Sequence, residues 1–193
     1  MNLDSFSNSL NSCLKDKNVL HLKNIFNVDL NWNDVVNLID YKYSNESISN
    51  NNNLMVNRNN LITDILPQGQ LHWHIWNSEN YLKIKDIVDI FLRSNINHNK
   101  KIFSAKLSVN LAGNKSLYNA HKDFQNVLSI QMIGSVEYRI YQDINANYEQ
   151  SIDVSNLAYD SYILNKGDAL LVPSGRIHQV FVTQPRSTLL LDF

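Results

Sequence analysis

Cysteine is almost missing from this chain: Cys13 stands alone, so neither an internal disulfide nor a thiolate metal site can be assembled. That suits a reducing compartment, and the cytoplasm is the expected location. Charge of one sign is missing too. Lys and Arg (17) balance Asp and Glu (18) to a formal net charge of −1, with no basic block of the kind that holds a phosphate backbone. Nucleic acid is therefore not an expected partner. No apolar run approaches the ~18 residues of a membrane span, and the opening MNLDSFSNSLNSCLKDKN has neither the basic start nor the apolar stretch of a signal peptide. No membrane association is expected.

What is present is enough apolar residue for one core: 193 residues, 44% hydrophobic. The expected organisation is a single domain over 1–193, with a helical portion carrying a few strands to about residue 100 and a β core from 101. Leu3, Phe6, Leu10 and Leu14 recur at helical spacing. NVLHLKNIF is strand-like, and NWNDVVNLIDY places Asn and Asp ahead of an apolar run, which predicts a capped helix. The tract SNESISNNNNLMVNRNN over 44–60 is too polar to order itself and is expected to be a loop or flexible hairpin. In YLKIKDIVDIFLRSN, the stripe Leu82, Ile84, Ile87, Val88, Phe91 and Leu92 predicts a helix whose apolar face is core or a homodimer surface.

From Lys101 the period changes from helical to alternating. KIFSAKLSVNLAG, NVLSIQMIG, VEYRIYQ, SYILNKGDALLVPSG and HQVFVTQPRSTLLLDF are short β-rich runs punctuated by Gly, Pro, Asn and Asp. This predicts a mainly β sandwich or barrel with helices at its N-terminal side.

Three residues carry the chemical signal. His121 and Asp123 lie at i and i+2 of an extended segment, so both project to one face. Burying an imidazole beside a carboxylate is costly, and a divalent metal is the strongest compensator. His178, reached through GDALLVPSGRI, supplies a third ligand, giving the two-His, one-carboxylate set of non-haem Fe(II) oxygenases. The remaining histidines, His21, His72, His74 and His98, are expected to be ordinary hydrogen-bonded groups. LHWHIW, with Trp73 and Trp76, is expected to be structural or a substrate wall.

HKD followed by NVLSIQMIG (Gln131, Gly134) and KGDALLVPSGRIHQVFV resembles the JmjC-like, cupin-fold Fe(II)/2-oxoglutarate oxygenases, in particular bacterial cupin-type hydroxylases related to ribosomal oxygenases and asparaginyl hydroxylases. The order H-x-D, Q-x-x-G, G-D and P-x-G-x-x-H makes the resemblance specific. It implies a double-stranded β-helix (jelly-roll) with flanking helices, His121, Asp123 and His178 on Fe(II), 2-oxoglutarate as cosubstrate, O2 as oxidant, and hydroxylation of a peptide, protein or amino-acid-derived small molecule. The carboxylate of Asp123 argues against halogenation.

One position departs from the resemblance. Relatives carry Lys or Arg thirteen residues after the metal-binding Asp to bind the distal carboxylate of 2-oxoglutarate; here that position is Val136. Arg139 is expected to face outward by strand parity. The wider superfamily uses an Arg-x-Ser pair on the last strand, and Arg186 with Thr188 stands in that relation, helped by Tyr118, with Lys106 in reserve. Ser129 and Gln131 are further candidates for the cavity wall. An Arg following Pro185 at a turn is otherwise a plain solvated residue. Val136 keeps open two rivals: a metal-dependent cupin enzyme that does not use 2-oxoglutarate, and a metal- or small-molecule-sensing cupin with no catalysis.

Substrate recognition is expected in the N-terminal helices, the 44–60 tract and the insertion DINANYEQSIDVSNLAYDS over 143–161. The acidic and aromatic residues of that insertion suit a basic or amide-bearing peptide. Deleting 146–157 is expected to spare metal binding and abolish turnover.

Overall fold

The computed structural model describes residues 3–43, 48–50, 72–93, 104–111, 115–116, 119–148 and 151–193. Among the described residues, three α-helices, α1 (Leu3–Asp16), α2 (Trp32–Tyr43) and α3 (Leu82–Arg93), and a short 3-10 turn at Ser78–Asn80 accompany eleven strands. In chain order these are β1 (Leu20–Leu22), β2 (Ile48–Asn50), β3 (His72–Trp76), β4 (Ser104–Asn110), β5 (Lys115–Ser116), β6 (Val127–Ile133), β7 (Val136–Tyr141), β8 (Tyr159–Leu164), β9 (Ala169–Val172), β10 (His178–Val182) and β11 (Arg186–Asp192). The larger sheet has the order β1-β9-β6-β11-β4-β3-β2 and the smaller β5-β10-β7-β8. From β4 to β7 the chain alternates between the sheets at every step, and from β8 to β11 it does so again. That alternation is the double-stranded β-helix. The first hundred residues add β1, β2 and β3 to the same larger sheet.

The two faces of the larger sheet have opposite polarity. Leu107, Val109, Leu128, Ile130, Met132, Leu189 and Leu191 point to the helices and bury against Phe6, Leu10, Val35, Leu38, Ile84, Ile87, Val88 and Phe91. At roughly 1.5–3 kcal/mol for each fully buried aliphatic side chain, this outer face supplies most of the apolar stabilisation. The inner face turns toward the smaller sheet, where Val136, Tyr138, Ile140, Leu164, Leu170, Val172 and Val182 cluster.

Local signals explain the helices. The Asp34 amide donates to Asn31 Oδ1 (3.1 Å) and the Asn31 amide to Asp34 Oδ2 (2.9 Å), a reciprocal capping box that starts α2. In α3, Ile84, Ile87, Val88 and Phe91 are buried, so this stripe is core; Leu82 (74% exposed) and Leu92 (54%) fall outside it and narrow the expected face. Ile48–Asn50, within the tract expected to be a loop or hairpin, pairs with β3 as an edge strand; the rest of that tract lies outside the described residues.

Two glycines close the barrel at one end. Gly134, at the β6–β7 turn, has φ +72°, and a Cβ there would collide with the Pro185 carbonyl. Gly167 (φ +88°) brings its own backbone against Phe26, and its carbonyl accepts the amides of Ile25 (3.0 Å) and Phe26 (3.1 Å). Next to it, buried Asp168 accepts the amides of Asn24 (2.7 Å) and Asn165 (2.9 Å). The G-D pair is thus a structural clasp between the N-terminal segment and the barrel. No helix among the described residues is long and apolar enough to cross a membrane.

Candidate metal centre and interior pocket

His121, Asp123 and His178 come together: one ligand atom from each lies within 4.8 Å of the others. His121 Nε2 is 3.5 Å from Asp123 Oδ1, and His178 Nε2 is 3.4 Å from Asp123 Oδ2. The segment 119–126 is not part of β6 and bends at Ala120 and at Phe124–Gln125; between those bends His121 is fixed by a two-way backbone bridge to His178 (3.1 and 3.0 Å). The Gly175 amide holds the Asp123 carbonyl at 3.0 Å, which ties the P-x-G-x-x-H turn to the H-x-D segment.

Each imidazole uses Nδ1 on a backbone carbonyl, His121 on Asn119 (2.8 Å) and His178 on Arg176 (3.1 Å). With Nδ1–H donating, both Nε2 lone pairs face the carboxylate. At 3.4–3.5 Å the three groups converge without good hydrogen bonds between them. Ligand atoms ~2.1 Å from a shared ion and at right angles are separated by ~3 Å, close to this spacing, so the donor set fits a divalent metal. Burial pushes the His178 imidazole below its usual range, with Asp123 opposing and His121 reinforcing the shift.

Beyond this centre the inner face of the larger sheet carries a polar patch opposite the apolar cluster of Val136, Tyr138 and Ile140. Directly opposed residues share a face, and the register aligns His74, Ser108, Thr188 and Gln131 across four adjacent strands. A register shift at Ser187/Thr188 leaves Met132 as the extra residue of a β-bulge beside Gln131. The inner face is half-buried at one end (Trp76, Ser104, Lys106, Val127, Leu190, Asp192) and buried at the other (Ser108, Asn110, Ser129, Gln131, Arg186, Thr188). Asn126, just after the H-x-D segment, bonds Phe193 at the half-buried end, whereas Gly134 and Pro185 close the other. Burial along the inner face of the larger sheet thus deepens from the metal end toward Gly134.

Arg186 sits at the floor. It is 2% exposed, so the alternative of a solvated turn residue does not hold. Its Nη1 donates to Thr188 Oγ1 (2.7 Å), Thr188 donates to Gln131 Oε1 (2.7 Å), and Gln131 Nε2 donates to the Ile133 carbonyl (2.8 Å). Every group in this relay has its donor and acceptor roles fixed. Ser129 is buried and accepts the Tyr138 hydroxyl at 2.9 Å. Burial raises the Tyr138 phenol, while Arg186 and Ser129 pull it down and Asp123 pushes it up, so this ring lies within electrostatic reach of both the floor and the metal ligands.

The other expected positions resolve as follows. Val136 is buried in the intersheet core and brings no charge. Arg139 faces outward, paired with Glu137 (2.8 Å) and packed on the rings of Phe181 (4.0 Å) and Tyr159 (4.9 Å). Lys106 is on the inner face but at the open end, bound to Asp192 (3.0 Å) and over Trp76 (5.0 Å), away from the floor. Tyr118 lies outside the described residues, as do the side chains of His72, Trp73 and His98.

Tyr138, Ser108 and Asn110 carry no expected site role, and His74 falls within LHWHIW, expected to be structural or a substrate wall. The signal was there: Lys106-x-Ser108-x-Asn110 and Arg186-x-Thr188 alternate polar residues into strands otherwise apolar enough for a core. The expectation that 146–157 could be removed without touching metal binding needs correction. Ile152, Val154 and Leu157 pack on Ala120 and Ile177, and the Ile152 amide donates to the Ala120 carbonyl (2.8 Å), so this insertion supports both arms of the triad.

A double-stranded β-helix with a two-His, one-carboxylate cluster at its open end defines the class. Residues 70–191 match the JmjC domain family, and the chain belongs to that family. Among solved structures it is similar to that of Escherichia coli ycfD (14% identity, TM-score 0.63, covering 91% of this chain and 49% of that one). It is also similar to a crystal structure of the Escherichia coli ribosomal oxygenase YcfD (16%, 0.61, 94% and 50%) and to YcfD in complex with cobalt and 2-oxoglutarate (16%, 0.50, 63% and 31%). The chain spans about half the length of the first of these or less, and at such identities the likeness is one of fold. No curated protein matches it by sequence.

Proposed function

We propose that this chain is an Fe(II)- and 2-oxoglutarate-dependent oxygenase, acting as one domain, that hydroxylates a C–H bond of a peptide, a protein side chain or an amino-acid-derived small molecule. The observation that carries the reading is a buried Arg186 among polar side chains on the inner face of the same barrel that brings His121, Asp123 and His178 together. A barrel interior lined with buried hydroxyls, amides and a guanidinium is costly unless a polar, anionic ligand completes it. A dicarboxylic keto acid has the right charge at both ends. The complex of YcfD with cobalt and 2-oxoglutarate supports the same pairing of ligands for a relative of this fold.

His121 and His178 would offer Nε2, held in orientation by their Nδ1–H bonds, and Asp123 its carboxylate. Arg186, steadied by Thr188 and Gln131, would bind the distal carboxylate, with Tyr138 and Ser129 on the side wall. The closed floor keeps water from that carboxylate, and the open end admits the substrate. The bound Fe(II), with 2-oxoglutarate and O2, supplies the chemistry: the keto acid goes to succinate and CO2, and one oxygen atom enters the substrate C–H bond. Arg186 thus takes the role expected at Val136.

The test is anaerobic titration of Fe(II)-loaded protein with 2-oxoglutarate, following the weak visible charge-transfer band. A band that is lost in His121→Ala is the expected result. No band in the iron-loaded wild type would overturn the reading in favour of a cupin that does not use a keto acid.

A further inference from the structure

We propose that Lys122, Phe124 and Tyr148 are positioning residues for the metal centre, acting through residues 142–148 and 151–158, which form its outer wall. The inference rests on the metal-site reading above. In the run Ala120-His121-Lys122-Asp123-Phe124, alternate side chains leave the backbone in opposite directions. The odd-numbered ones, His121 and Asp123, converge on His178. The even-numbered ones engage residues 143–157 of the described chain, through Asp143, Ile144, Tyr148, Ile152, Val154 and Leu157, on the other side.

Each even position has its own contact. Ala120 packs with Ile152, Val154 and Leu157. Lys122, 7% exposed, donates to the Ile144 carbonyl (2.7 Å) and pairs with Asp143 (2.9 Å). Phe124 stacks on Tyr148 with centroids 4.5 Å apart and planes within 10°. These rings are 56% and 41% exposed, so the stack buries little area. Its effect is to fix the direction of the chain immediately after Asp123. The wall also reaches the third ligand: Ile177, next to His178, lies in the Ala120 cluster, and the Tyr148 phenol rests against Gly175.

A buried ammonium tolerates little displacement, because leaving its two acceptors strands a charge. Lys122 sits between two ligands, so fixing it fixes the spacing of His121 and Asp123. Ligand sets need placement within about 0.5 Å to bind well. By linkage, whatever the wall contributes to metal affinity, the metal returns as added order in the wall.

The test uses the full chain and Co(II), titrated by visible absorption, with hydrogen exchange read at the Ile152 amide. Lys122→Met and Tyr148→Ala should each weaken Co(II) binding about tenfold or more, within the usual range of such coupling. Lys122→Arg and Tyr148→Phe should recover most of the loss. Co(II) should slow exchange at Ile152 in the wild type and leave it unchanged in Lys122→Met. Lys83→Ala, which breaks the distant Lys83–Asp34 pair (2.9 Å), is the control for general destabilisation and should keep wild-type Co(II) affinity. Wild-type affinity in both Lys122→Met and Tyr148→Ala, or an equal loss in Lys83→Ala, would overturn the proposal. A wild type that binds no Co(II) would overturn the metal-site reading and this inference with it.

Discussion

Replacing Arg186 by Met removes the guanidinium while keeping most of its length, and the structure separates the effect on ligand binding from that on folding. Truncating one partner of a buried, hydrogen-bonded charge pair costs roughly 2–5 kcal/mol, so a middle value of ~3 kcal/mol weakens 2-oxoglutarate binding about 150-fold. Folding should respond differently. A guanidinium at 2% exposure bears a desolvation penalty that a thioether does not, and such replacements run from neutral to about 4 kcal/mol stabilising. Against this, Thr188 loses a donor at 2.7 Å, worth ~1 kcal/mol. The melting temperature should therefore hold or rise while the dissociation constant for 2-oxoglutarate climbs by two orders of magnitude. Calorimetric titration of the Co(II)-loaded protein and a thermal melt of the same sample measure both. A dissociation constant within threefold of wild type would refute the assignment of Arg186 as the anchor.

Two further outcomes follow from the barrel itself. Burial, assisted by Lys106 and Arg186, pushes the His74 imidazole down to about 3, whereas an unfolded His takes its proton near 6.5. The unfolded state thus binds more protons over that interval, stability falls as the pH drops from about 6.5, and His74→Gln should flatten the slope in urea melts at pH 7 and pH 5. Identical slopes in the two proteins would sink this account. At Gly134, Ala faces both a left-handed φ, at about 1–2 kcal/mol, and the Pro185 carbonyl, so Gly134→Ala should lower the melting temperature by about 4 °C or more. An unchanged melt would mean that the turn can relax away from Pro185.

The sequence was most legible where one residue decides a local geometry. H-x-D and P-x-G-x-x-H located the triad because i and i+2 share a face and because a turn after a buried strand aims His178 back at it. From Ser104 onward the strands other than the two-residue β5 fall on the short β-rich runs bounded by turn residues. Arg186 was harder, since its neighbour Pro185 and its charge both suggest the surface, and only the closure of β11 against β4 and β6 buries it. His74 was harder for a similar reason: its register partner Ser108 is distant in sequence and meets it only through the pairing of β3 with β4, whereas Tyr138 reaches Ser129 across the two sheets, a contact that strand alternation alone does not reveal. The 143–161 insertion looked like a free loop because the anchors of Ile152, Val154 and Leu157, Ala120 and Ile177, belong to other parts of the chain.

The opposite polarity of the larger sheet's faces divides the work of the molecule. Apolar side chains under the helices hold the fold together, and those pointing the other way are largely released from that duty. Residues such as Ser108, Asn110, Gln131 and Thr188 can then be exchanged as matched sets that keep one another's hydrogen bonds, to suit a different acid or a different substrate, without disturbing the apolar face under the helices. A scaffold of this kind separates endurance from selectivity, so that new ligands can be tried on the inside while the outside stays as it is.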